Sequence, residues 1–423
     1  MERYQRSTEW LHKTESVIPT ASQTFSKSHY SLPKGAAPLF LEEGSGAYVT
    51  DIDGNRYIDL VNGLLCVSLG YQHPAVDNAI KKQLQSGISF SLPHKLEMAL
   101  AERLVEHIHC AEQVRFGKNG TDVTSAAVRL ARAVTGKEHV LVCGYHGWQD
   151  WYIGSTTRHM GVPQTVRERT HGFPFNNLEA LTELVDHHEN QVAAIIMEQM
   201  NVEQPAEGYL QAVRELCDEK GIILIFDEII TGFRFDIGGA QSVFGVTPDL
   251  ATFGKGMANG MPISAIVGRR ELMQEMDTIF FSGTFGGETL SLAAACATID
   301  FMVEHDVPGH MKLVGGMLAE AVSRAATVYE CDDWFSLVGH PSWKIWKIDN
   351  DPEFVKKTLL LQLLAEQGVL SIGSHNISWS LKPENVETIV SAYQYAFEKI
   401  QGTANPGTLI QGEIIKPVFQ VRK

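Results

Sequence analysis

The sequence predicts an α/β protein with a large, mainly parallel sheet domain and a smaller α+β domain assembled from both chain ends. Three observations carry this. Apolar, β-rich runs alternate with helical periodicity from about residue 95 to 268. Two of the runs, Ala-Ala-Ile-Ile-Met and Ile-Ile-Leu-Ile-Phe, are apolar at every position, as strands covered on both faces must be. The segments before and after follow a different pattern, and 423 residues are too many for one small core. The expected division is 1–60 as the N-terminal part of the small domain, 61–309 as the large domain and 310–423 as the C-terminal part of the small one.

Taken in order, Gly46 to Asp59 reads as two short strands around an Asp53-Gly54-Asn55 turn. Leu96, Leu100, Ala101, Leu104, Val105 and Ile108 mark one helix face, after which Gln113–Gly117 is extended. A helix follows at Thr121–Val134, then strands at His139–Cys143, Val192–Met197 and Ile222–Phe226. A long helical pattern lies near Glu288–Glu304. The tail supplies another helix, a strand at Ser342–Ile348, a helix at Pro352–Gln367 and a last helix near Glu384–Ile400.

The net charge of −15, with no long basic run, argues against a nucleic-acid partner. The six cysteines are scattered without a C-x-x-C pair, so no metal site and no disulfide framework is expected. The N-terminus has no apolar stretch suited to a signal peptide, and no segment reaches the ~18 apolar residues of a membrane span. A cytoplasmic protein is the expectation.

Chemistry concentrates at strand ends, where open α/β sheets place ligands. The run Ile222–Phe226 leads into Asp227-Glu228. Alone, such a pair is more often a helix cap or a partner for Arg234 than a catalytic group. The run Pro248-Asp-Leu-Ala-Thr-Phe-Gly leads into Lys255 between Gly254 and Gly256, an environment that favours a neutral, nucleophilic amine. Phe116-Gly-Lys-Asn119-Gly120-Thr121-Asp122 turns from a strand into a helix, whose first amides and dipole suit a phosphate, with the Thr121 hydroxyl as an extra donor. Cys143-Gly-Tyr145-His146-Gly147-Trp148 offers a flat aromatic after another strand. A phosphate cradle, an aromatic, a buried acid and a dry lysine, in that order, are what pyridoxal 5′-phosphate (PLP) requires of a protein: anchoring, ring packing, pairing of the ring nitrogen and covalent attachment.

On these motifs, from about Gly46 to Ala295 and more loosely beyond, the sequence resembles the class III, fold type I aminotransferases, and most nearly the branch containing glutamate-1-semialdehyde aminomutase. The resemblance implies a seven-stranded sheet, Lys255 as the Schiff-base lysine, Asp227 as the acid on the ring nitrogen and Tyr145 as the stacking aromatic, with His146 beside it. The family's Ser-Gly-Thr-Glu phosphate motif corresponds to Asn119-Gly120-Thr121-Asp122. Thr284 matches a threonine that reaches the phosphate of the neighbouring subunit's cofactor, which implies a homodimer. Glu198 and Glu203 match acidic positions near the cofactor in parts of the class.

The departures bear on the substrate. Ala21–Ser28 lacks the arginine with which aminomutase-like enzymes hold a carboxylate, and no arginine lies between Arg324 and Arg422. What remains is polar and aromatic: Ser26, Lys27, Trp148, Asp150, Trp151, His340, Trp343, Lys344, His375 and Asn376. Ser26, Lys27, Trp148, Glu203 and His375 are the candidate substrate contacts. The expected reaction moves an amino group from a donor, glutamate, to an aldehyde or ketone of a polar metabolite such as a sugar derivative. A 1,2-aminomutase, a β-amino-acid or ω-amine transaminase, and a cofactor-binding module without catalysis remain the alternatives.

Overall fold

Val192–Met197 and Ile223–Asp227 are buried along their whole length and form the middle of a seven-stranded sheet. In the computed structural model, which describes residues 3–416, the order across this sheet is Gln113–Gly117, Ser264–Gly268, Leu250–Phe253, Ile223–Asp227, Val192–Met197, His139–Cys143 and Thr170–Gly172. All neighbours from Leu250–Phe253 to Thr170–Gly172 pair in parallel. Ser264–Gly268 runs antiparallel to both of its neighbours. The carboxyl ends Gly117, Cys143, Met197, Asp227 and Phe253 therefore share one edge.

The period-two alternation of strands explains why these runs had to be wholly apolar. Val140, Val142, Ala194, Ile196 and Ile225 face one side, packed with Val123, Ala127 and Leu130 of the helix Gly120–Thr135. Leu141, Cys143, Ile195, Met197, Leu224 and Phe226 face the other, against Leu181, Val185 and Val213. Each fully buried aliphatic side chain contributes roughly 1.5–3 kcal/mol, which makes this sheet a stiff platform for its loops.

The described residues form two compact units, one spanning Pro74–Gly309 and one formed by residues 3–73 with residues 310–416. In the second unit, Leu41–Ser45, Tyr48–Asp51 and Arg56–Asp59 form an antiparallel meander, and Val369–Leu370 adds in parallel beside Arg56–Asp59. The turn forms because the Asp51 carboxylate accepts from the N–H groups of Asp53 and Asn55, at 3.0 and 2.7 Å, while Gly54 adopts φ +89°. A three-stranded sheet of Phe335–His340, Trp343–Ile348 and Ser374–Asn376 turns Phe335 and Trp346 toward the rings of Tyr393 and Phe397. The helix expected from Pro352 begins at Val355, where the Asp351 carboxylate accepts from the amides of Lys356 and Lys357.

This unit corrects part of the substrate-contact expectation. His375 is fully buried, with Nε2 2.7 Å from the Tyr393 hydroxyl, and burial pushes its pKa down to about 3. It is a neutral core histidine. His340, Trp343 and Asn376 are buried with it: His340 Nδ1 contacts the Ser342 hydroxyl at 2.8 Å, and Asn376 Nδ2 donates to the Val61 carbonyl at 2.8 Å. These contacts, rather than a substrate, engage the enclosed side chains, while His375 Nδ1 and Asn376 Oδ1 are buried without a protein partner. Ser26 and Lys27, in the short turn Phe25–Lys27, are exposed.

All six cysteines are thiols, five buried and Cys66 half-buried. Among the described residues no helix is long and apolar enough to cross a membrane.

Candidate active site

The two acids at the end of Ile223–Asp227 part company. Glu228 turns inward, where its carboxylate accepts from the N–H groups of Ala240 and Gln241 at 2.8 and 3.0 Å and from Gln199 Nε2 at 2.6 Å. The capping role that a strand-end acid commonly has belongs to Glu228. Asp227 is buried beside His146, with Oδ2 2.7 Å from His146 Nδ1, and its Oδ1 accepts from the Ile229 N–H at 3.1 Å and the Thr252 hydroxyl at 3.4 Å. His146 Nε2 is buried and lacks a protein partner.

His146 reaches Asp227 because the loop after His139–Cys143 is folded tightly on glycines. Gly144 and Gly147 have φ of +117° and +107°. A Cβ at Gly147 would lie 2.4 Å from Thr121 Oγ1, and one at Gly144 would lie 2.4 Å from Glu198 Oε2. The loop is tied to the start of the helix Gly120–Thr135: the Trp148 N–H donates to Thr121 Oγ1 at 3.3 Å, and the Thr124 hydroxyl donates to the His146 carbonyl at 2.8 Å. Gly147→Ala is therefore expected to strain both partners by about 1–3 kcal/mol and to weaken cofactor retention more than fold stability. Equilibrium dialysis alongside thermal melting checks this.

At the helix start, Asp122 Oδ2 accepts from the N–H groups of Lys118 and Asn119 at 3.1 and 2.7 Å, and the Asn119 carbonyl accepts from the Ser264 hydroxyl at 2.8 Å. The amides of Gly120 and Thr121 have no carbonyl four residues back inside the helix, so this terminus suits an anion. A Cβ on Gly120 would meet Ile229 Cδ1 at 3.2 Å, and one on Gly254 would meet the same atom at 3.1 Å. One isoleucine methyl thus touches the backbone of the anion cradle and of the turn that carries Lys255. Lys255 itself has φ +36°, a region a lysine rarely occupies. It opens the 3-10 turn Lys255–Ala258 directly after Leu250–Phe253 and is half-buried.

Electrostatics links the loops. Glu198 is buried, and burial followed by the Asp227 charge raises its pKa, while His146, Asn201 and Lys255 draw it down. Burial and Asp227 likewise raise the Tyr145 phenol. The ring of Tyr145 is about half exposed and meets Tyr152 edge-on at 5.7 Å. Asp227, His146, Glu198, Tyr145 and Lys255 therefore occupy one neighbourhood, with Gly120 and Thr121 at its edge. Trp148, Glu203 and Thr284 are exposed, and Trp151 is buried, donating to the Ser125 hydroxyl at 2.8 Å. Sequence reading missed Thr252 and Asn201, whose side chain donates to Glu198 at 2.9 Å. A hydroxyl in the otherwise apolar Leu-Ala-Thr-Phe run was the available signal for Thr252.

The family model described as aminotransferase class-III matches residues 30–386. This chain belongs to that family. The aminotransferase is 37% identical over 305 residues, 70% of this chain and 73% of that protein, to a 3-aminobutyryl-CoA aminotransferase of Cloacimonas acidaminovorans (strain Evry). It is 39% identical over 300 residues, 66% of this chain and 67% of that protein, to a glutamate-1-semialdehyde 2,1-aminomutase of Haloarcula marismortui. Its fold matches the PLP internal aldimine form of the FumI protein of Sphingopyxis sp. MTA144, with a TM-score of 0.88, 25% identity and coverage of 96% of this chain and 100% of that one. It is a PLP-dependent enzyme of fold type I.

The residues present fit that cofactor. A buried carboxylate braced by an imidazole suits a protonated ring nitrogen, the glycine-lined helix start suits a phosphate, and an amine at a strand end suits an aldehyde.

Proposed function

We propose that this aminotransferase takes the amino group of glutamate and delivers it to an aldehyde or ketone of a polar metabolite, such as a sugar derivative, acting as a homodimer in which Thr284 serves the neighbouring subunit's site. The observation that carries the acceptor half is the missing carboxylate clamp: Ala21–Ser28 and residues 325–421 contain no arginine. A bidentate guanidinium is the usual means of fixing a carboxylate, and its absence favours an acceptor recognised by neutral hydrogen bonds.

When bound, the cofactor supplies a carbonyl for the amino group and a conjugated ring that accepts electrons from the adjacent C–H bond. In this reading the amides of Gly120 and Thr121 and the Thr121 hydroxyl hold the phosphate, with Asn119 flanking them. Asp227, oriented by His146 and Thr252, holds the proton on the ring nitrogen. Tyr145 would pack against the ring. Lys255 Nζ would hold the cofactor's carbonyl carbon and would serve as the base for the proton on the donor's Cα. Glu198, buried behind the Tyr145 amide, fixes the loop that carries both Tyr145 and His146.

A second reading has its own support. The 37%-identical relative is named for 3-aminobutyryl-CoA, whose amine is β to a thioester and which presents no free carboxylate there. A β-amino acyl substrate is consistent with the same missing arginines. Titration of the holoenzyme with glutamate is expected to bleach the visible band of the lysine-bound cofactor. An acceptor panel of oxidised sugars and 3-oxoacyl thioesters should then restore it, and whichever class does so decides between the readings. An unchanged band with glutamate removes it as donor.

A further inference from the structure

The strand His139–Cys143 carries the active-site loop at one end; at the other it carries a histidine that meets two more. His139 and Leu141 lie on the same face of the strand, and Leu141 is paired with His171 in the adjacent edge strand Thr170–Gly172. His171 therefore projects on the same side as His139. The helix Leu178–His187 packs on that face through Leu181 and Val185, and its end brings in His188. His139 Nδ1 lies 2.9 Å from His171 Nε2, and the His188 ring stacks on both, with centroids 4.3 and 4.2 Å away. One ring nitrogen from each histidine falls within 4.8 Å of the other two, and all three residues are half-buried.

We propose that His139, His171 and His188 form a site for a divalent transition-metal ion of the zinc or nickel type, separate from the PLP site. Convergent neutral imidazoles from three different elements are a ligand set such ions favour, and no thiolate is needed. Two metal–nitrogen bonds of about 2.0–2.1 Å across the 2.9 Å gap subtend roughly 90°, the cis angle of an octahedral ion, and a modest rotation of the rings opens it for a tetrahedral one. One ring of the His139–His171 pair must shift its proton to its outer nitrogen, so binding at neutral pH requires no net proton release. Water completes the shell, and His187, edge-on to His188 at 4.7 Å, stands next to it. Arg169 and Arg132 are the opposing charges; Glu138 offsets them, with an oxygen 2.8 Å from Arg169 Nε. The site lies four residues, about 13 Å of strand, from Cys143.

The test uses holoenzyme freed of metal by chelator and dialysis, then titrated calorimetrically with Ni²⁺ and with Zn²⁺ while cofactor absorbance is recorded. The expected result is one ion per chain at micromolar affinity, weakened at least about tenfold in His171→Gln and in His188→Gln, with the cofactor band unchanged throughout. His188 lies just past a helix end, so its variant decides the matter if His171→Gln does not fold. Absence of stoichiometric binding, or equal affinity in wild type and the folded variants, overturns the proposal.

Discussion

Lys255→Ala protein is expected to lose amino transfer by at least about three orders of magnitude, since it removes both the attachment point and the proton-moving amine. It should still bind PLP. The cradle at Gly120 and Thr121, the Asp227–His146 pair and the Ile229 methyl between the two turns do not depend on the lysine side chain. Alanine also inherits the positive φ, so the backbone strain of about 1 kcal/mol persists and stability should change little. Borohydride reduction followed by peptide mass spectrometry separates covalent from noncovalent cofactor. The wild type should carry the label on the peptide containing Lys255, and the variant should carry none while dialysis shows retained cofactor. A label on another lysine, or turnover near wild type, would remove Lys255 from its proposed role.

How far the sequence was legible depends on how strongly one pattern dominates each segment. Val192–Met197 and His139–Cys143 emerged with their observed bounds, because their buried stretches, Val192–Met197 and Val140–Cys143, are apolar at every position. The edge strand Gln113–Gly117 was read with its observed bounds as well, but other strands were not. Thr170–Gly172 has only three residues, one of them a glycine, and is a strand only because Val140–Val142 pairs with it. Ser264–Gly268 follows a glycine-rich turn, and its antiparallel direction follows from the path of that turn rather than from its own residues. Phe335–His340 and Ser374–Asn376 likewise depend on Trp343–Ile348 between them.

At the candidate site, sequence order placed Asp227, Tyr145, His146 and Lys255 after strands, because apolar runs announce where strands stop. It did not show which of two adjacent acids would turn inward. That depends on Gly239, whose φ of +87° and missing Cβ admit the Glu228 carboxylate, eleven residues away. His375 was misjudged for the opposite reason: a histidine between polar neighbours reads as a surface group, while its enclosure comes from Tyr393, eighteen residues on. The histidine cluster was invisible for the same cause, since 139, 171 and 188 follow no ligand spacing and meet only through sheet register and helix packing.

Asp227→Asn should leave a folded protein whose amino transfer is reduced by about 10²- to 10⁴-fold. Asparagine nearly preserves the shape, and its amide can still meet Ile229, Thr252 and His146 Nδ1, so the stability loss should stay within about 1–3 kcal/mol. What it cannot do is hold a proton on a ring nitrogen by opposing its charge. The loss should therefore fall on the step in which the donor's Cα–H bond breaks. Exchange of that hydrogen with deuterated solvent, followed by NMR, measures this step without an acceptor. Wild type should exchange readily and the variant should not, although both bind cofactor. Because His146 acts through Asp227, His146→Ala added to Asp227→Asn should cost little more than Asp227→Asn alone, the non-additivity of groups that work as one unit. Full additivity would separate the histidine from the acid, and exchange at the wild-type rate in Asp227→Asn would place the ring nitrogen's partner elsewhere.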